Sequence, residues 1–158
     1  TLNADTFLFL TKRDLFDRVK TNIDLLLAKG FVVKVNVVVM RGVNDKEVLD
    51  FVRWTLTETL DVRFIEFMPF EGNRWDQEKV VTWQEMLDMV RNEWGDEVVP
   101  IARKPHETVK QYRLSGGKGT FAVISTMSAP FCGDCNRLRL QQLLLHREIF
   151  YPTSLHVE

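Results

Sequence analysis

The spacing of hydrophobic residues changes several times along the chain, and each change predicts a different element. Five apolar residues recur at helical spacing: Leu15, Val19, Ile23, Leu26 and Leu27. They predict a helix that ends near Gly30, a residue suited to a helix C-terminus. The next segment, FVVKVNVVV, is β-branched and almost continuously apolar. It predicts a strand buried on both faces of a parallel sheet.

The second strand–helix unit has similar signals. Asn44 with Glu47 three positions later has the pattern of a capping box, which predicts a helix over about 45–58. VRFIEFM then predicts another buried strand. A second capping box, Thr82 with Glu85, opens the helix WQEMLDMVRNEW before Gly95. This order of helices and strands is typical of a parallel α/β layer.

From residue 97 onward the pattern indicates antiparallel structure. EVVPIARK, KQYRLS and TFAVIST are short strand-like segments, and GGKG has the composition of a hairpin turn. The sequence therefore predicts a small antiparallel appendage after the α/β layer. Two strand–helix units are too few for a stable barrel or doubly wound sheet, so we expect further N-terminal structure to be missing from this chain.

The amino-acid composition argues against several classes of function. The 158 residues are 45% hydrophobic with a formal net charge of −1, which argues against bulk binding of DNA or RNA. No apolar run reaches the roughly 18–20 residues that cross a bilayer, and the N-terminus lacks the features of a signal or targeting peptide. Two cysteines give no disulfide framework, so we expect a reducing compartment.

Lys34 interrupts the first apolar strand and admits two interpretations. In a closed parallel barrel it would point into the lumen, where it would suit an anionic substrate. Alternatively, it would extend to solvent from an edge strand.

The second strand has one charge on each face. Alternation places Arg63 on one face and Glu66, followed by Met68, on the other. Ligands commonly bind near the carboxyl ends of parallel strands. The alternative is a structural Arg–Glu pair with a neighbouring strand, and Met68 by itself is typical of a core residue.

The segment FCGDCNRLRL contains the strongest chemical signal. Cys132 and Cys135 have the spacing of zinc or iron–sulfur ligands, and Arg137 and Arg139 would face the same way on a strand and could bind phosphate. Thioredoxin-like redox chemistry is an alternative, but it expects an early βαβ context. Two chains could also share one zinc ion through these cysteines.

Taken together, VKVNVVVMRGVNDKEVLDF, DVRFIEFMPFEGNRW and TMSAPFCGDCNRLRL resemble the GTP 3',8-cyclase family of molybdenum cofactor biosynthesis, which are radical S-adenosylmethionine enzymes. The resemblance extends over about residues 1–140 and corresponds to roughly the C-terminal two-thirds of the family. It implies an α/β fold: the C-terminal part of an incomplete parallel β/α (TIM-like) barrel over 1–96, and a small antiparallel extension over 97–140 that binds a cluster and GTP.

The resemblance also implies the chemistry. Family members are lyases that convert GTP to (8S)-3',8-cyclo-7,8-dihydroguanosine 5'-triphosphate, the first step of the pathway. They use S-adenosylmethionine and two [4Fe-4S] clusters, the cofactors that supply the radical chemistry. The resemblance also implies a homodimer. It implies a location in the mitochondrial matrix in eukaryotes or in the cytoplasm in bacteria.

Carried over by position, the resemblance assigns site residues. The GTP contacts it implies are Lys34, Arg63, Arg137, Leu138 (through its backbone) and Arg139. It implies that Met68 contacts S-adenosylmethionine. Cys132 and Cys135 match two ligands of the second cluster, but the third ligand position holds Ile149.

The departures from the family predict a non-catalytic chain. The N-terminal C-x3-C-x2-C motif is absent, and the tail 141–158 does not match the family pattern. His146 is offset by three positions from where a replacement third ligand would stand. We therefore expect this chain to be inactive by itself; the alternatives are a non-catalytic isoform or a small zinc-binding module.

Overall fold

The computed structural model describes residues 1–69, 76–102 and 109–129. Their helices and strands are, in chain order, α1 (Ala4–Thr11), α2 (Phe16–Ala28), β1 (Val33–Val39), α3 (Val48–Thr57), β2 (Leu60–Glu66), α4 (Trp83–Trp94), β3 (Val98–Pro100), β4 (Lys110–Leu114) and β5 (Thr120–Ile124). Short 3-10 turns lie at Asp45–Glu47, Gln77–Lys79 and Gly95–Glu97. Within these ranges, no helix has both the length and the apolar character of a membrane span.

The strands form one mixed sheet in the order β1-β2-β5-β4-β3. β1, β2 and β5 are parallel, whereas β5, β4 and β3 form an antiparallel meander. The predicted α/β class is confirmed. The predicted antiparallel segment is not a separate appendage, because β5 pairs directly with β2. The described strands form an open sheet with β1 and β3 at its edges, so the TIM-like barrel and the division into 1–96, 97–140 and 141–158 stay predictions.

The helices α3 and α4 cover one face of the sheet. Side chains of that face, including Val37, Val62 and Phe64, pack with Phe51 of α3 and Met86 of α4 in a single buried cluster. Burial of this apolar area is the main driving force for the fold.

Burial along β1 alternates, so the prediction of a strand buried on both faces is wrong. Val33, Val37 and Val39 are buried, whereas Lys34 and Val38 are exposed. The β-branched sequence gave the element type correctly, but among the described residues no second layer covers the opposite face.

One predicted helix start is confirmed. The hydroxyl of Thr82 accepts a hydrogen bond from the backbone N–H of Glu85, and the carboxylate of Glu85 accepts one from the backbone N–H of Thr82, at 2.8 Å. Both bonds of the capping box are therefore present.

The capping box predicted at Asn44 is wrong. The Asn44 side chain donates to the carbonyl of Val38 at 2.9 Å and accepts from the backbone N–H of Met40 at 2.8 Å. Glu47 accepts instead from the Thr1 hydroxyl at 2.7 Å. Because both side chains bind partners outside the turn, the segment starts as a 3-10 turn and the α-helix begins only at Val48.

Candidate functional site

The candidate site lies on the sheet face that α3 and α4 leave open. Strand pairing places Lys34 beside Asp61 and Asn36 beside Arg63, and the same register continues to Thr120 in β5. Paired residues of neighbouring strands project to the same side of a sheet. These polar side chains therefore form a continuous group across three strands.

A chain of hydrogen bonds fixes the centre of this group. The Gln111 amide donates to the Thr120 hydroxyl at 3.0 Å, and that hydroxyl donates to one oxygen of Asp61 at 3.1 Å. The other oxygen of Asp61 accepts from Nε of Arg63 at 2.8 Å. Asp61 is buried and Arg63 is half-buried. The guanidinium group is thus held by its Nε atom, and its two terminal nitrogens remain geometrically suited to a bidentate anion contact.

The position of Lys34 fits the second interpretation made from the sequence, an exposed lysine on an edge strand, whereas its position in a barrel lumen stays a prediction. Lys34 lies on β1, an edge strand of the described sheet, and it is exposed. Its side chain also lies on the same face as Arg63. Lys34 and Arg63 thus place two positive charges on this face, and the carboxylate of Asp61 offsets one of them.

The face becomes apolar towards the carboxyl ends of the parallel strands. The next row of paired residues consists of Val38, Ile65 and Ile124. Met68, two residues after the end of β2, is 38% exposed, but it lies beyond the paired residues and the strand register does not assign it to this face. An anionic group would therefore meet Lys34 and Arg63, while an attached apolar or aromatic group would meet the carboxyl-end row.

Glu66 ends β2 on the opposite, helix-covered face and is fully buried. Its carboxylate accepts backbone N–H hydrogen bonds from Trp83 at 2.8 Å, Met127 at 2.6 Å and Ser128 at 2.8 Å, and another from the Ser128 hydroxyl. Burial acts to raise the pKa of Glu66, but the hydrogen bonds from Ser128, Met127 and Trp83 outweigh it. The pKa therefore lies below its ordinary value.

The structural alternative for the second strand, an Arg–Glu pair with a neighbouring strand, is wrong. Arg63 pairs with Asp61 on its own strand, and Glu66 binds N–H groups. The sequence reasoning missed Asp61. Its signal was available, because residues two apart on a strand share a face and opposite charges there can pair.

Several predicted site residues lie outside the described residues: Cys132, Cys135, Arg137, Leu138, Arg139 and Ile149. The alternative ligand His146 and the tail 141–158 lie outside them too. Over the part of the chain that the structure describes, no group of three or more His, Cys, Asp or Glu side chains could hold a metal ion. Lys34, Arg63 and Met68 are the predicted site residues whose surroundings the structure defines.

Comparison with known proteins gives a consistent set of relatives. The family model described as Molybdenum Cofactor Synthesis C matches residues 60–143. Molybdenum cofactor biosynthesis protein 1 of Homo sapiens is 44% identical over 141 residues, which cover 89% of this chain and 22% of that protein. Molybdenum cofactor biosynthesis protein moc-5 of Caenorhabditis elegans is 43% identical over 142 residues, or 89% of this chain and 23% of that protein.

A plant relative has a more specific name. GTP 3',8-cyclase, mitochondrial, of Arabidopsis thaliana is 43% identical over 141 residues, covering 89% of this chain and 36% of that protein. The chain thus spans between about a fifth and just over a third of the length of these curated relatives. The resemblance inferred from the sequence motifs is confirmed.

Proposed function

The chain belongs to the Molybdenum Cofactor Synthesis C family, and we propose that it forms part of the GTP site of a GTP 3',8-cyclase. In this proposal Lys34 and Arg63 contact the phosphates of GTP, and Met68 contacts S-adenosylmethionine. Relatives named GTP 3',8-cyclase support the substrate and a role in molybdenum cofactor synthesis.

The observation on which the proposal rests is the ordered guanidinium of Arg63. Asp61 holds its Nε atom, and the hydroxyl of Thr120 in turn fixes Asp61. A fixed guanidinium loses little side-chain entropy when it binds an anion, so its bidentate contact with phosphate is favoured. Lys34, on the neighbouring strand, adds a second positive charge to the same open face.

The residues of this chain do not complete a [4Fe-4S] site. The chain contains two cysteines, and Ile149 stands where the resemblance places the third ligand. An isoleucine side chain has no donor atom for iron. The proposed contribution of the chain is therefore binding and orientation of the nucleotide, with no chemical step through a cluster.

A titration of the purified chain with a fluorescent GTP analogue tests the proposal. We expect Lys34→Ala and Arg63→Ala each to weaken binding about tenfold or more, since a charged hydrogen bond is worth roughly 1.5–3 kcal/mol. Inorganic tripolyphosphate should compete with the analogue, because these two residues bind the phosphates.

Arg91→Ala is the matched control for charge. Arg91 is exposed on α4, which covers the other side of the sheet, so its loss removes one positive charge away from the site. We expect its affinity to equal that of the parent chain. Equal weakening by all three substitutions, or no saturable binding by the parent, would contradict the proposal.

The same site composition predicts that the chain by itself does not cyclise GTP. Reconstitution with iron and sulfide should give no product in an assay with GTP and S-adenosylmethionine, because the ligand set for each cluster is absent or incomplete in this chain. Any turnover above that of a Cys132→Ser, Cys135→Ser control would show this prediction to be wrong.

A further inference from the structure

The row of paired residues that contains Arg63 continues to Gln111 on β4. Strand pairing places Arg63 beside Ala122 and Ala122 beside Gln111. Tyr112, the next residue of β4, packs in the helix-side cluster, so the alternation of the strand directs Gln111 to the open face. Ala122 is buried and has only a methyl side chain, so it does not separate the two longer side chains. Arg63 and Gln111 therefore border the same stretch of the open face.

Hydrogen bonding fixes the orientation of the Gln111 amide group. The Thr120 hydroxyl has one proton, and its oxygen lies 3.1 Å from an oxygen of the Asp61 carboxylate, which can only accept. The hydroxyl therefore donates to Asp61. The contact of 3.0 Å between Thr120 and Gln111 then has to use the amide NH2 group as its donor. The carbonyl oxygen Oε1 of Gln111 is the other end of this amide, and among the described residues it has no hydrogen-bond donor.

The open face thus presents hydrogen-bonding groups of opposite type at two places. The terminal nitrogens of Arg63 are donors that suit phosphate, whereas Oε1 of Gln111 is an acceptor that suits an N–H or O–H group. Two strand spacings separate these residues, which is about 10 Å. One nucleoside triphosphate spans this distance, and its hydrogen-bond donors are the sugar hydroxyls and the N–H groups of the base. Gln111 can therefore contact the nucleoside while Arg63 contacts the phosphates.

We infer that Gln111 is a specificity-determining residue, whose Oε1 accepts a hydrogen bond from a donor on the nucleoside part of the nucleotide. This inference rests on the proposed function and deepens it. It differs from a purely structural role of Gln111, because it predicts discrimination between nucleotides that differ by a single donor group. The hydrogen bonds that order Arg63 also orient Gln111, so one network prepares both contacts before the nucleotide binds.

Nucleotide analogues that each lack one donor group provide the test. Inosine triphosphate lacks the 2-amino group of guanine, and 2'-deoxy-GTP and 3'-deoxy-GTP each lack one sugar hydroxyl. Displacement of the fluorescent GTP analogue gives the affinity of each compound. We expect one of the three to bind the parent chain about fivefold more weakly than GTP, which is the scale of one neutral hydrogen bond. The identity of that compound shows whether Oε1 accepts from the base or from the sugar.

Gln111→Met removes both hydrogen-bonding groups and keeps the length of the side chain. In this variant the discriminated analogue and GTP should bind with affinities that agree within about twofold. Both affinities are measured on the same variant, so a reduced folded fraction weakens both by the same factor and leaves their ratio unchanged. Gln111→Leu is the second variant if circular dichroism shows that Gln111→Met does not fold.

Gln84→Met is the matched control for this substitution. Gln84 is exposed on α4, which covers the other side of the sheet. We expect the Gln84→Met variant to keep the fivefold discrimination of the parent chain. Loss of discrimination in this control as well would show that the effect does not come from the open face and would overturn the inference.

Inorganic tripolyphosphate separates a contact with the nucleoside from an indirect effect on Arg63. It has no nucleoside, so Gln111→Met should leave its affinity unchanged within about twofold. Equal weakening of tripolyphosphate and GTP would mean that Gln111 acts only through Thr120, Asp61 and Arg63, and would overturn the inference. Equal binding of GTP and all three analogues by the parent, or discrimination that persists in Gln111→Met, would also overturn it. In each of these cases saturable GTP binding still supports the proposed function, whereas a parent chain that does not bind GTP overturns both.

Discussion

Arg63 and Glu66 stand three positions apart on β2 and project to opposite faces of the sheet. Asp61 orders Arg63 on the open face, and the carboxylate of Glu66 accepts hydrogen bonds from N–H groups on the helix-covered face. The alternation of a strand explains how one short segment can contribute both the proposed ligand contact and the support for a neighbouring segment. The charge pattern of VRFIEFM therefore predicted correctly that Arg63 and Glu66 lie on opposite faces of the strand.

The lowered pKa of Glu66 makes a testable prediction about stability. Because its folded-state pKa lies below the ordinary value of about 4.5, ionised Glu66 stabilises the fold fully above that value. This contribution is lost as the pH falls through the folded-state pKa. We therefore expect the free energy of unfolding from urea titrations to fall as the pH is lowered below about 4.5, and to fall less steeply in Glu66→Gln.

Glu85→Gln distinguishes this effect from acid destabilisation in general. The pKa of Glu85 is also lowered, since the hydrogen bonds from Thr82 and the ion pair with Arg41 outweigh its burial. Glu85→Gln should reduce the pH dependence of the free energy of unfolding less than Glu66→Gln does, because the side chain of Glu85 is more exposed. Identical profiles for the parent and Glu66→Gln would refute the assignment.

The partners of these carboxylates could not have been predicted from the sequence. Glu66 binds residues 61 and 62 positions further along the chain, and Glu47 binds Thr1, 46 positions earlier. The capping box at Thr82 was predictable because all of its atoms lie within one turn. The box at Asn44 failed because a distant partner competed for Glu47.

At the scale of elements, the junction between β2 and β5 joins the parallel and antiparallel parts of the sheet. Gly119 begins this junction, and its N–H donates to the carbonyl of Thr55 at 2.8 Å. A Cβ atom at Gly119 would lie 2.7 Å from the carbonyl oxygen of Glu58 and 3.0 Å from the backbone nitrogen of Leu60. Only a residue without a side chain permits this close approach of two backbones.

Gly119→Ala should therefore destabilise the chain by about 2 kcal/mol or more, since the obstructing atoms are backbone. Gly116→Asn in the same hairpin turn is the control. Gly116 has a φ of +74° with open space around it, and asparagine tolerates that conformation, so we expect a change within about 1 kcal/mol. Urea denaturation of both variants checks the prediction. Equal losses of stability would show that the close approach at Gly119 is not the cause.

Sequence periodicity predicted which segments form the strands of this sheet more reliably than it predicted what surrounds each strand. β1 and β2 were expected from β-branched runs, and the hairpin from GGKG, because those signals depend on neighbouring residues. The pairing of β5 with β2 and the open face of β1 depend on which elements meet in space. The run FVVKVNVVV has the same appearance whether one or both faces are covered.

For the whole molecule, the described sheet has one covered face and one face with a polar group and an apolar row. Large apolar side chains are also exposed in the part of the chain that precedes β1, including Phe9 at 64%, Phe31 at 57% and Val32 at 79%. The chain spans 22–40% of the length of its curated relatives. The barrel and the homodimer implied by the resemblance stay predictions at this scale.

The central claim is that GTP binds the open face of this sheet. An amide chemical-shift titration of the ¹⁵N-labelled chain with GTP tests it most directly, because it locates the contact without any substitution. We predict saturable shifts at Lys34, Asn36 and Arg63, and none at Asp88 and Arg91 of α4. Shifts confined to the α3–α4 layer, or no shifts at saturating GTP, would contradict the account.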